Sequence, residues 1–152
     1  MNDAIEIRLI KPDEMPGLLA LYEHLHAHDV PLPPEPVLHM RWAEFLGDRK
    51  IHCLVADLDG RLVGSCTLAI VPNLTRGARP FGLIENVVTH AVYRRKGIGL
   101  RLLRTALAIA WQHCCYKVML LTGRHDEGVL RFYEQAGFRR GTKTGFMATP
   151  DE

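Results

Sequence analysis

Arg94, Arg95 and Lys96 stand directly before Gly97, Ile98 and Gly99, so three cationic side chains meet two residues that have none. If a helix starts here, its first backbone N–H groups lack partners inside the helix and carry the positive end of its dipole. Such a terminus binds anions, and the glycines let a diphosphate come close to the amides. The simpler reading is a solvated basic turn ahead of a helix, because a lone GxG recurs by chance. Two other phosphate loops are excluded: no GxxxxGK[ST] occurs, and the third glycine of the dinucleotide-binding GxGxxG is absent. Other reactive side chains offer less. His24 and His28 have the i,i+4 spacing that could face one metal ion, but no third ligand is evident and no metal is expected. Cys53, Cys66, Cys114 and Cys115 fall inside apolar patterns without CxxC pairing or an obvious activating base, so they are expected to be reduced core residues.

A loop of this kind needs a strand before it and a helix after it. "FGLIENVVTH" is strand-like, and from Gly97 onward Ile98, Leu102, Ala106 and Ile109 recur on one helical face. Upstream, "IEIRLI" alternates as a strand, and residues 11–28 carry Leu18, Leu21, Tyr22 and Leu25 at helical spacing. A proline-rich connection and a second helix ending at Gly47 come next, in which Trp42 and Phe45 read as core. "IHCLVADLDGRLVGSCTLAIV" is a hairpin around Asp59-Gly60, a pair suited to the positive φ values of a type I′ turn. Downstream, "YKVMLLT" reads as an interior strand, "DEGVLRFYEQAG" as a short helix, and "FRRGTKTGFMA" as a last edge hairpin. The sum is a mixed α/β (α+β) domain.

Of the 152 residues, 47% are hydrophobic, enough to bury roughly two-thirds of the unfolded surface in one core, so residues 1–152 are expected to form a single domain. A net charge of +2 is too small for a dedicated nucleic-acid binder. No apolar run reaches the ~20 residues needed to cross a bilayer. The N-terminus, with Asp3 and Glu6, lacks the basic start of a signal peptide. A cytoplasmic protein with no membrane or nucleic-acid partner is expected.

"IENVVTHAVYRRKGIGLRLLRTAL" resembles the signature of the GNAT superfamily of N-acetyltransferases, whose [RQ]-x-x-G-x-[GA] loop is matched by Arg94, Gly97 and Gly99. "DEGVLRFYEQAGF" is similar to the family's N-x-x-A-x-x-x-Y-x-x-x-G-F segment, with Tyr133 ahead of Gly137 and Phe138, while Asp126 and Val129 replace the usual Asn and Ala. The likeness covers most of residues 5 to 148. It implies a mostly antiparallel mixed sheet of six to seven strands, flanked by about four helices and splayed between strands 81–90 and 116–122.

The resemblance also implies a direct transfer of the acetyl group of acetyl-CoA to an amine in a ternary complex. The diphosphate would lie on the main chain of Arg95, Lys96, Gly97, Ile98 and Gly99, with Arg94 at the start of the loop. Pantetheine would pair with the strand at Val87, Val88 and Thr89, an N–H near Val87 would donate to the thioester oxygen, and Asp126 would fall near the cofactor arm. Tyr133 would protonate the leaving thiolate; alternatively it is an aromatic packed on the sheet. Alternation places Glu85, Val87 and Thr89 on one face, which makes Glu85 the candidate base, or else a strand-end carboxylate paired with an arginine. The end of the first helix, "HLHAHD", together with "DVPLPPEP", borders the acceptor pocket or is simply a polar helix end. "PNLTRGARP", a long flexible connection with Arg76 and Arg79, covers the acceptor or only spans two strands. The acceptor is a small-molecule or peptide amine, and a homodimer stays open. The alternative function is a non-catalytic acyl-CoA-binding regulatory module of the same fold.

Overall fold

The computed structural model describes residues 4–150 and divides the chain into two compact units, residues 1–120 and 121–152. In the first unit, five strands lie side by side in sequence order: β1 (Ile5–Leu9), β2 (Ile51–Leu58), β3 (Arg61–Val71), β4 (Phe81–Thr89) and β5 (Val118–Met119). The first four are antiparallel neighbours, and β5 runs parallel to β4. The helices are α1 (Met15–Tyr22), α2 (Glu35–Gly47), the four-residue α3 (Thr75–Ala78) and α4 (Ile98–Gln112), with α5 (Glu127–Gln135) in the second unit. No helix among the described residues is long and apolar enough to cross a membrane.

The β2–β3 hairpin forms as its turn residues dictate, with Asp59 at φ 50° and Gly60 at φ 89°. On one side of the sheet α4 buries Ile98, Leu102, Leu103, Ala106 and Ala110, a continuous apolar stripe at helical spacing. On the other, α1 buries Leu18 and Leu21. Gly64 on β3 permits the closest approach: a Cβ there would lie 2.9 Å from Ile98 Cγ2 and 3.0 Å from Leu102 Cδ1. The first turn of α4 therefore sits directly on the sheet.

Several expectations need correction. Among the described residues the sheet has five strands rather than six to seven. Residues 138–148, expected as an edge hairpin, form no ladder: two glycines interrupt the stretch, and Phe146 and Met147 are 91% and 83% exposed. Nor is residues 116–122 an interior strand. Its ladder with β4 holds for two pairs, Gly82–Val118 and Leu83–Met119, on the outer edge of the sheet. The first helix ends at Tyr22 instead of reaching residue 28, because the N–H groups of Glu23, His24 and Leu25 bond three residues back and tighten the last turn. Trp42 and Phe45 are half-buried rather than core; their rings stack at 5.8 Å and Trp42 Nε1 donates to the Pro12 carbonyl at 2.9 Å. Cys53, Cys66 and Cys115 are buried free thiols, whereas Cys114 is exposed.

Arg8 ties β1 to the turn before α1 and to β2. Its guanidinium donates to Glu14 at 2.8 and 2.7 Å and to Asp57 at 2.9 Å, with all three side chains largely buried. The hydrogen bond from Arg8, working against desolvation, holds the Glu14 carboxyl below its ordinary value. A lowered folded-state value contributes stability that is complete above the unfolded value and is lost as pH falls through the folded one. Arg8→Met is therefore expected to cost up to about 3 kcal/mol near pH 7, where two carboxylates are left unpaired. Thermal denaturation of both proteins should show that gap closing toward acidic pH; a constant gap would mean that Glu14 plays no part.

Candidate active site

The basic loop folds as the sequence predicts. β4 ends at Thr89, a single 3-10 turn covers Ala91–Tyr93, and α4 starts at Ile98 with Gly97 as its N-terminal cap at φ 78°. Arg95 is also left-handed, at φ 62°. A left-handed residue followed by a helical one turns successive N–H groups to the same side, the geometry of an anion nest. A Cβ on Gly97 would meet nothing within 4 Å, so the space beside these amides is open. Ile98 and Gly99 are buried against the sheet while Arg94, Arg95 and Lys96 are exposed.

Arg94 holds the loop in shape. Its Nε donates to the Thr89 carbonyl and its Nη2 to the His24 carbonyl, each at 3.1 Å. His24 in turn accepts from the Ala91 N–H at 3.3 Å, and its ring lies 4.0 Å from that of His90. The residues following α1 thus clasp the loop, which gives His24 a role its spacing with His28 did not suggest. No group of three or more His, Cys, Asp or Glu side chains among the described residues is placed to hold a metal ion.

Strand β4 departs from regular alternation. Glu85 pairs with Thr67 and Val88 with Ser65, so Asn86 and Val87 together oppose the single residue Cys66. Asn86 takes up the extra length at φ 54°. The mismatch is a β-bulge, and it reverses the facing of the residues beyond it. On β3, Cys66 points toward α4, its Sγ 3.9 Å from the Leu102 carbonyl, whereas Ser65 and Thr67 point to the opposite side. Glu85, paired with Thr67, therefore faces away from α4, while Thr89, paired with Gly64, faces toward it. The expectation that Glu85, Val87 and Thr89 share a face does not survive the bulge. Asn86 was the available signal, since Asn is scarce in strands and enriched at positive φ.

Beyond Leu83, β4 has no ladder partner in β5, and the residues that follow are paired with β3 on its other side. This leaves an edge against which an extended chain can lie, next to the glycine loop.

Phe81, Leu83 and Glu85 form a row on the side away from α4, with Leu83 and Glu85 exposed. At about 3.3 Å per residue the row spans roughly 13 Å. Cations gather at its Phe81 end. Lys117 Nζ lies 5.4 Å from the Phe81 ring and 5.2 Å from that of Tyr116, and the Arg76 guanidinium is 5.9 Å from the Tyr116 ring. Lys117, followed by Thr75 and Arg76, lowers the Tyr116 hydroxyl below its ordinary value, against local desolvation. No carboxylate among the described residues pairs with Lys117 or Arg76.

The connection carrying Arg76 was expected to be long and flexible, but it is a bonded left-handed turn. Arg76, Gly77 and Ala78 have φ 55°, 71° and 60°. Asn73 Nδ2 donates to the carbonyls of Thr75 and Arg79 and to the Thr75 hydroxyl. Arg79 donates to the carbonyls of Cys114 and Cys115 at 3.1 and 3.2 Å, so it braces the turn.

The second unit carries the remaining expected residues. Asp126 caps α5 and accepts from Arg124 Nε at 3.1 Å. Tyr133 is half-buried on α5, its ring 4.9 Å from Phe132 and 6.3 Å from Phe138.

Comparison with known proteins agrees with this architecture. The model of the acetyltransferase (GNAT) family matches residues 18–138. The glucosamine 6-phosphate N-acetyltransferase of Trypanosoma brucei brucei is 34% identical over 140 residues, 89% of each chain. Among solved structures, a putative acetyltransferase from Agrobacterium tumefaciens str. C58 is 43% identical, with a TM-score of 0.89 over 95% of this chain and 99% of that one. A Trypanosoma brucei acetyltransferase is 33% identical, with a TM-score of 0.79 over the same shares.

The open space at Gly97 makes a direct test of the anion nest. Gly97→Val would force a β-branched residue to φ 78° and put its methyls beside the amides. Calorimetric titration with coenzyme A is expected to show affinity weakened by well over tenfold. Arg95→Gly, which keeps the left-handed backbone, should weaken it less. Equal binding by Gly97→Val and the unaltered protein would exclude the nest as the diphosphate site.

Proposed function

The chain belongs to the acetyltransferase (GNAT) family, and on that premise we propose that its acceptor is a small amine carrying an anionic group, of the amino sugar phosphate class. It is an enzyme that transfers the acetyl group of acetyl-CoA to an amine. The observation that carries the acceptor proposal is the row on β4, with a carboxylate at one end and two cations without carboxylate partners at the other. The trypanosomal relative is named for glucosamine 6-phosphate, an amine and a phosphate on one small sugar.

The donor and acceptor roles follow from the family resemblance, and the placement of the glycine loop and of β4 supports them. The glycine loop takes the diphosphate, with main-chain N–H groups of Arg95 to Gly99 as donors and Arg94 as the brace beneath them. Val87, Val88 and Thr89 offer the strand edge for pantetheine, and the Val87 N–H donates to the thioester oxygen as charge develops on it. Glu85 takes the proton from the acceptor ammonium. The free amine forms its bond to the acetyl carbon, the C–S bond breaks, and the departing thiolate takes a proton from Tyr133. A tyrosine's reference value of ~10 exceeds a thiol's ~8.5, so the phenol stays protonated until it donates. Asp126, at the start of the helix bearing Tyr133, is a further candidate contact for the cofactor arm. Nothing among the described residues favours a non-catalytic acyl-CoA-binding module.

Steady-state assays following thiol release test the acceptor class. Glucosamine 6-phosphate should be a better acceptor than glucosamine. Lys117→Ala and Arg76→Ala should raise its KM about tenfold each while leaving unphosphorylated glucosamine unaffected. Equal losses with both sugars would show that the cations do not meet the phosphate.

The two proton-transfer roles separate by variant. Tyr133→Phe keeps the ring but removes the proton, so kcat should fall by roughly 10² to 10⁴ with coenzyme A affinity little changed. Glu85→Gln should slow strongly basic amines much more than weakly basic ones, whose proton is already gone. Uniform slowing across amines would leave Glu85 with a structural role.

A further inference from the structure

We propose that His24 and His90 are positioning residues for the coenzyme loop that act only while their rings are neutral: each accepts a backbone N–H of the turn before Gly97, so a proton on either ring releases the anion nest. This rests on the reading of the glycine loop as the diphosphate site. His24 Nδ1 accepts from the Ala91 N–H at 3.3 Å and His90 Nδ1 from the Val92 N–H at 3.2 Å, so two rings hold two successive amides of the Ala91–Tyr93 turn. A ring nitrogen that accepts carries no proton. His90 meets a second donor at its other end, the Arg61 guanidinium, 3.2 Å from Nε2. A neutral imidazole has one acceptor nitrogen and an imidazolium has none, so His90 already faces one donor more than it can serve. Protonation would set N–H against N–H at both contacts.

The surroundings resist that proton. The two rings lie 4.0 Å apart, so charges on both would repel each other. Arg94 donates to the His24 carbonyl at 3.1 Å, and Lys96 Nζ lies 5.6 Å from the Tyr93 ring, itself 5.3 Å from that of His90. Four carboxylates, Asp13, Glu14, Glu23 and Asp59, share with both rings the lining of a cleft of about 680 Å³ and favour the cation. Glu14 is already paired with Arg8, and no carboxylate among the described residues forms an ion pair with either ring. Local desolvation, then His24, Arg61 and Arg94, hold the His90 ring below its ordinary value. A latched form with a lowered value is fully favoured above the released-form value of ~6.5 and loses ground as pH falls through the latched one. On acidification the loop would thus gain charge but lose its shape, because two amides of the turn are let go.

Dephospho-coenzyme A is the probe, since it keeps the diphosphate and lacks the 3′-phosphate, whose second proton titrates at about pH 6. Calorimetric titration of the unaltered protein should show affinity about tenfold weaker at about pH 5.5, one unit below the ordinary histidine value, than at about pH 8. Charge alone predicts the reverse, because added cations beside an anion site tighten binding. His24→Asn combined with His90→Asn places an amide oxygen where each Nδ1 accepts, and Asn is itself a favoured cap. That oxygen does not titrate, so affinity in the double variant should change by less than about twofold over the same interval. Protection factors for the Ala91 and Val92 N–H groups should fall about tenfold with acidification in the unaltered protein and stay level in the double variant. Affinity that is unchanged or higher at the acidic pH in the unaltered protein would overturn the proposal, as would an equal loss in the double variant. If the unaltered protein binds no dephospho-coenzyme A at the higher pH, the diphosphate reading fails, and the protection factors still decide whether the two rings are a proton-operated latch.

Discussion

The site depends on a length mismatch: at Cys66 one residue of β3 faces two of β4. A strand with an extra residue cannot keep both its ladder and its facing, so the backbone folds the surplus into Asn86 and resumes one step out of phase. The mismatch has two consequences. Glu85 is left on the side of α1, and Thr89 on the side of α4. Beyond Leu83 the pairing of β4 with β5 has stopped, which leaves a strand edge outside the ladder, held at its far end by Arg94 on the Thr89 carbonyl. In the proposed reading an extended donor and a separate acceptor thereby reach one point from two sides of one sheet.

The helix dipole would be of little use if α4 sat elsewhere. Its first turn is held on the sheet by the missing Cβ of Gly64, and the loop before it is held by Arg94 and His24 from the other side. Neither contact touches the expected diphosphate site. They fix the direction in which the N–H groups of the turn point, and for an anion held by backbone amides that direction is the binding site. Arg94 illustrates the division of labour, since a guanidinium bonded to two carbonyls acts mainly as a strut.

The sequence makes local features legible where a single residue type forces a conformation. Asp59-Gly60 specifies its turn, the Gly97 loop specifies a helix start, and the spacing from Ile98 to Ala110 specifies the helix that buries it. Features that rest on a partner are less visible. Whether residues 116–122 form a long interior strand depends on how far β4 stays alongside, and it stays for two pairs. Residues 138–148 read as an edge hairpin, but ladder bonds need a partner that the sequence of the stretch cannot reveal. Period-two counting misplaces Glu85 relative to Thr89 because it assumes no bulge. Asn86, an unfavourable strand residue amid β-branched neighbours, is the one mark in the sequence that contradicts the assumption.

Charge along β4 gives the arrangement its direction. The basic loop and the α4 terminus lie past its Thr89 end, Lys117 and Arg76 lie at its Phe81 end, and Glu85 stands between them. In the proposed reading both substrates are anionic, and each is drawn to its own pole, so the like charges are kept at opposite ends of the strand. Only the neutral thioester and the amine are then left to meet at the bulge. The carboxylate there attracts an ammonium but repels a phosphate, so the acceptor enters amine first toward the thioester. The same alternation of sign would discourage an acceptor from binding in reverse, with its anion against Glu85 and its ammonium against Lys117, because both ends would then be repelled. Orientation is thereby set by charges at the two ends of one strand, before any contact with the sugar ring is made.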